Sequence, residues 1–76
     1  MKELVEVIAR SLVDNPDKVV VTETVEGDTT LLELAVAPED MGKIIGKNGK
    51  RAQAIRSIMK AKYLKTGKRV VVDIVG

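Results

Sequence analysis

Leu4, Val5, Ile8 and Leu12 recur near the start of the chain at the spacing of one helix face, while Lys2, Glu3, Glu6 and Arg10 fall off that stripe. The pattern predicts an amphipathic helix over Met1–Val13. The Asn15–Pro16 step ends it, because the residue before a proline avoids the helical region. Lys18–Glu26 is rich in Val and Thr and predicts a strand. Glu26-Gly27-Asp28 is a turn signal, and Thr29–Ala37 then alternates, with Leu32, Leu34 and Val36 on one face and Glu33 on the other. Two strands around a short glycine-containing loop make an antiparallel hairpin. Pro38-Glu39-Asp40 opens a short helix, with proline early and acids at the positive end of the dipole. That helix carries Met41, Ile44 and Ile45 and stops at Gly46. A longer helix follows Gly49, with Ala52, Ile55, Ile58, Met59 and Lys62 marking its faces, and Thr66-Gly67-Lys68 breaks it. Arg69–Val75 is the last strand, with Val70, Val72 and Ile74 on one face.

The order α-β-β-α-α-β places a helical crossover between the second and third strands, so these two run parallel if they pair. The expected fold is α+β, a three-stranded mixed sheet with three helices packed on one face, in a single domain over residues 1–76. Ile44, Ile55, Ile58 and Met59 are assigned to the core, and Tyr63 to a partly buried anchor at the helix end. Val71 and Val75 then face away from the helices, as do Leu31 and Ala35. That outer face is either an interaction surface or ordinary scattered surface valine.

Composition narrows the chemistry. The 76 residues include no cysteine and no histidine. Disulfides and the usual soft metal sites are excluded, and no cofactor is expected. The common catalytic bases and nucleophiles are also missing, so an enzyme is not expected. No apolar run approaches the roughly 18 residues of a membrane span, and the N-terminus has no signal-peptide pattern. The expectation is a soluble, cytoplasmic protein.

A net charge of +2 hides a strong asymmetry. Met1–Asp40 holds three cations and ten acids, whereas Met41–Gly76 holds ten cations and one acid, Asp73. Such asymmetry points to a surface for a polyanion. The alternative is that acids of the first half fold against the cations and neutralise them.

At the head of the basic half, Ile45-Gly46-Lys47-Asn48-Gly49-Lys50 joins two helices through a G-x-x-G corner, with Arg51 next. Gly46 lets the first helix stop, and Gly49 starts the second with no side chain in the way. The start of the second helix has unpaired N–H groups and partial positive charge, suited to an anion. Lys47, Lys50 and Arg51 add full charges there, and Arg56, one turn further in, is within reach of a phosphate. A phosphate-binding P-loop is excluded because Ile44 and Arg51 stand where it needs Gly and Ser or Thr. A helix rather than a strand precedes the glycines, which excludes a dinucleotide fingerprint. Tyr63 is the only aromatic residue, so stacking of several bases on aromatic rings is not available.

Ile44-Ile45-Gly46-Lys47-Asn48-Gly49-Lys50-Arg51-Ala52-Gln53-Ala54-Ile55 resembles the signature of the KH domain, I-I-G-x-x-G-x-x-[apolar]-x-x-I. The element order looks like the type II arrangement of that family, and the match spans the whole chain. A chain that is little more than one such domain is similar to the small bacterial KhpA group of RNA-binding proteins. The resemblance implies a grip on about four nucleotides of single strand, with the G-x-x-G loop on the backbone. Carried over, Gly46, Lys47, Asn48 and Gly49 form the phosphate clamp, and Ile45, Ala52 and Ile55 line or support an apolar groove for bases. Ala52 stands where many KH domains have a branched residue, which makes the groove or the core beneath it shallower. Lys65–Arg69 corresponds to the variable loop, with Lys65, Lys68 and Arg69 as the opposite wall. The resemblance further implies an RNA chaperone or post-transcriptional regulator, self-association as a dimer, and pairing with a larger KH protein of the Jag type. DNA in place of RNA stays open, as does a protein-assembly module whose RNA affinity is secondary.

Overall fold

A computed structural model describes residues 2–75. It contains helices α1 (Lys2–Leu12), α2 (Met41–Ile45) and α3 (Lys50–Leu64) and strands β1 (Val20–Glu26), β2 (Thr29–Ala35) and β3 (Arg69–Val75). Three short 3-10 turns punctuate them, at Pro16–Lys18, Pro38–Asp40 and Lys47–Gly49. The sheet order is β1-β2-β3. β1 and β2 are antiparallel, and β2 and β3 are parallel, with Thr29 beside Arg69 and Ala35 beside Val75. This is the predicted α+β architecture, a mixed sheet with the helices on one face.

The two-residue alternation of β2 explains the layering. Thr30, Leu32 and Leu34 are buried beneath the helices, while Leu31, Glu33 and Ala35 are half-buried on the other face. Val5 and Ala9 of α1 share one buried cluster with Val21, Leu32 and Leu34, to which α3 adds Ile55, Met59 and Tyr63 and β3 adds Val72. Each of the larger side chains removed from water in this way contributes roughly 1.5–3 kcal/mol.

Several details differ from the sequence expectation. Lys18 lies in a 3-10 turn rather than in β1, which starts at Val20. β2 ends at Ala35, two residues early, although Val36 and Ala37 stay buried. Pro38–Asp40 forms a 3-10 turn, and α2 proper begins at Met41. The expected start of the first helix at Met1 lies outside the described residues. Ile58 is not core: it is 47% exposed. The buried stripe of α3 runs through Ala52, Ile55, Met59 and Tyr63 at steps of three and four, and Ile58 falls beside it. Tyr63 is buried at the helix end, as an anchor should be. No helix among the described residues is long and apolar enough to cross a membrane.

One buried charge fixes how the helices start. Asp40 is almost fully buried, and its carboxylate accepts hydrogen bonds from the backbone N–H of Asp14 at 3.3 Å, the N–H of Asn15 at 3.1 Å and the Asn15 Nδ2 at 3.0 Å. This ties the connection after α1 to the turn that launches α2. Buried carboxylates need such donors, since an unpaired one would be strongly penalised. The Asn15 side chain, the two backbone donors and Lys43 hold the Asp40 pKa below its ordinary value, against the opposing effect of burial.

Candidate nucleic-acid interface

The corner between α2 and α3 is built from three consecutive demands on the backbone. Gly46 adopts φ 73°, ψ 177°, a region essentially reserved for glycine. Asn48 sits at φ 57°, ψ 27° and Gly49 at φ 74°, ψ 11°, both left-handed. Asparagine is one of the few side chains that tolerate this region. The Gly46 N–H donates to the Gly42 carbonyl at 2.9 Å and closes α2. Gly49 N–H donates to the Gly46 carbonyl at 3.1 Å, and Lys50 N–H to the Lys47 carbonyl. Among the described residues, no protein acceptor takes the N–H of Lys47 or Asn48. These two amides sit at the tip of the corner, just ahead of the positive end of the 15-residue α3.

The charges around the corner are not neutralised by the acidic half. Among the described residues, Lys43 is the one cation after Met41 with a carboxylate within 4.0 Å: its Nζ pairs with Asp14 and lies 4.0 Å from Asp40. Arg10 pairs with Glu6 inside α1, at 3.1 Å. Lys47, Lys50 and Arg51 are exposed and have no acidic partner among the described residues. The alternative in which folded-back acids cover the cations therefore does not hold.

The structure places the remaining expected residues in three groups. Ile45 is 38% exposed at the lip of the loop, whereas Ala52 and Ile55 are buried beneath it as supports. Arg56 leaves the loop and donates from Nε to the Val72 carbonyl at 3.1 Å, so it bridges α3 to β3, an edge strand whose other side pairs with β2. Further along that side, Lys68 and Arg69 line an open hollow of about 490 Å³ with Lys60, Leu64, Val70 and Val71. Lys65 does not join them: it lines a separate hollow on the opposite flank of α3 with Ile58, Ala61 and Lys62. The basic surface thus follows α3 for its full length, about 22 Å at 1.5 Å per residue.

Three residues escape sequence reasoning. The Asp40 carboxylate reads as an ordinary acid at a helix start, and its long-range partners Asp14 and Asn15 carry no local signal. Lys60 and Leu64 are not singled out by any of the sequence signals above. Their spacing of four, in step with Arg56, is the signal that puts all three on one side of α3.

Comparison with known proteins agrees with this geometry. Residues 2–74 match the family model of the KhpA/KhpB KH domain. Relatives include the RNA-binding protein KhpA of Clostridium perfringens, 56% identical over 99% of this chain and 100% of its own length. The KhpA proteins of Clostridium acetobutylicum and Caldanaerobacter subterraneus subsp. tengcongensis are each 57% identical, with the same coverage. No solved structure matches. With its G-x-x-G corner on a type II fold, and relatives more than half identical along their entire length, the chain belongs to the KhpA/KhpB family of KH domains.

Proposed function

We propose that this protein binds single-stranded RNA by laying the sugar–phosphate backbone against the Gly46–Gly49 corner. One observation carries the reading: among the described residues, two amides without a protein acceptor at a left-handed helix junction, beside Lys47 and Lys50, which have no acidic partner there. Backbone amides and lysines are the usual partners of phosphate oxygens. The relatives' name supplies RNA as the nucleic acid. In this reading Gly46, Lys47, Asn48 and Gly49 clamp the backbone and Lys50 adds charge beside them. Ile45 offers an apolar lip to a base, with Ala52 and Ile55 holding the surface from below. Arg56, Lys68 and Arg69 line the path toward the far end of α3, and Lys65 strengthens the field from the other flank. The role is binding rather than catalysis.

The same reading extends to a cytoplasmic RNA chaperone or post-transcriptional regulator. A module that grips about four nucleotides gains useful affinity when two sites act together at high effective concentration. A homodimer, or a pair with a Jag-type KH protein, supplies the second site. Ile58, 47% exposed on the flank of α3 opposite the Lys68–Arg69 hollow, favours a contact with another protein there. Assembly with RNA affinity secondary is therefore the competing reading.

The test is a titration of short fluorescent single-stranded RNA at several salt concentrations. The native chain is compared with Lys47→Asp/Asn48→Asp after both are verified as folded. Steeply salt-dependent binding that the variant loses supports the clamp. Equal binding by both, or none by either, rejects it and promotes assembly. The same sequence as DNA, run in parallel, reports the 2′-hydroxyl preference.

A further inference from the structure

Sequence alone reads Arg51 as one more phosphate-seeking charge. Its geometry is different. From the first turn of α3 the side chain turns back over the loop: its Cγ and Cβ lie 2.7 and 2.9 Å from where a Cβ on Gly46 would stand. Its Nη1 then donates to the Lys43 carbonyl at 2.8 Å. That carbonyl belongs to the last turn of α2, where unpaired carbonyls and the negative end of the helix favour a cation. The side chain of the same Lys43 is paired with Asp14 and lies beside Asp40. One continuous line of contacts thus runs from the segment after α1, through Asp40 and Lys43, to Arg51 and the loop.

We infer that Arg51 is a positioning residue: it straps the end of α2 to the start of α3 and holds Gly46 in the conformation that turns the Lys47 and Asn48 amides outward. It sets the shape of the clamp instead of contributing a phosphate contact. The inference rests on the RNA-clamp reading, but its structural half can be measured without RNA.

The experiment compares the native chain with Arg51→Met, Lys47→Met and Lys50→Met. Methionine keeps most of the apolar stem that covers Gly46 and removes donor and charge. Binding of fluorescent single-stranded RNA is followed against salt. For single strands, the logarithm of affinity falls with the logarithm of salt by about 0.7 per phosphate neutralised. Lys47→Met and Lys50→Met are expected to flatten that slope by about 0.7 each. Arg51→Met is expected to weaken binding about tenfold at every salt concentration and to leave the slope unchanged, as loss of one charge-assisted hydrogen bond would. In the same proteins without RNA, amide hydrogen exchange at Gly46 and Gly49 should quicken about tenfold in Arg51→Met, with Leu34 and Val72 unaltered. A slope flattened as in Lys47→Met makes Arg51 a phosphate ligand and overturns the inference. So does an Arg51→Met protein whose affinity and loop exchange both match the native chain. If the native chain binds no RNA, the clamp reading fails and loop exchange alone decides the role of Arg51.

Discussion

Gly46→Ala is expected to be the most damaging glycine substitution in the G-x-x-G corner, and the structure gives its size. The backbone at φ 73°, ψ 177° costs a side chain about 1–3 kcal/mol. The new methyl also meets Arg51, at 2.7 Å from Cγ, 2.9 Å from Cβ and 3.1 Å from the backbone nitrogen. The Cγ can swing aside, but the Cβ and nitrogen are fixed by the first turn of α3. Overpacking of this kind costs about 1–3 kcal/mol. The total is about 2–6 kcal/mol, in a chain whose 76 residues imply a stability of about 4–11 kcal/mol. At about 4–8 °C per kcal/mol for a domain of this size, Tm should fall by at least about 8 °C. Gly49→Ala provides the scale: it shares the left-handed backbone but meets nothing within 4 Å, so it should lose only about 1–2 kcal/mol. Gly42→Ala lies in α2 with open space around it and should gain about 0.5–1 kcal/mol. Thermal and urea unfolding followed by circular dichroism measures all three. If Gly46→Ala melts within a few degrees of Gly49→Ala, the close approach of Arg51 to the loop does not exist as described.

Three further outcomes follow from particular side chains. Met59→Ala should lose about 2–5 kcal/mol in urea titrations because Met59 is fully buried, while Ile58→Ala, one residue earlier, should stay within about 0.5–1 kcal/mol of native; equal losses would refute the orientation of α3. Asp40 has a lowered folded pKa, so its stabilisation is present above its unfolded value near 3.9 and is lost as pH falls through the folded value. Asp40→Asn should therefore melt below the native chain at neutral pH, with the gap closing in acid; a gap constant across pH would remove the carboxylate's role. Tyr63 is held above its ordinary pKa, first by burial and then by the charge of Glu23, against the contrary effect of its hydrogen bond with Thr30. As the only tyrosine it can be titrated alone by ultraviolet absorbance. It should ionise above about 10 when folded and near 10 in urea, so its stabilisation is present below pH 10 and fades as pH rises through the folded value; identical titrations would contradict its burial.

The elements that sequence reveals here are those whose cause is local. Periodicity marks α1, β2 and β3, and the glycine pair marks the corner, because each signal lies within one or two turns of chain. Asn48 was visible as a loop residue but not as a left-handed one, since glycine was the residue expected to take that geometry. Ile58 misleads because a helix with apolar residues at both three- and four-residue steps leaves the true face ambiguous until β3 is in place. The Asp14–Asp40–Lys43 cluster could not be read at all: its members come together only after the hairpin has folded between them. Arg51 is legible as a charge, yet its direction back toward Lys43 depends on the backbone of Gly46.

The parallel pairing of β2 with β3 carries a kinetic consequence. β1 and β2 can zip from the turn at Gly27, a short-range event, but Thr29 can meet Arg69 only once the whole α2–α3 segment has been looped back. Closing so long a loop is the entropically costly part of folding and tends to govern the rate. The wall that Arg56 grips through Val72 is thus the last piece of the sheet to close. A strand of RNA lying along α3 against that edge would bind only the closed form. It would act as an external staple, slowing the peeling of β3 and raising the apparent stability of the chain with the logarithm of the free RNA concentration once that exceeds its Kd.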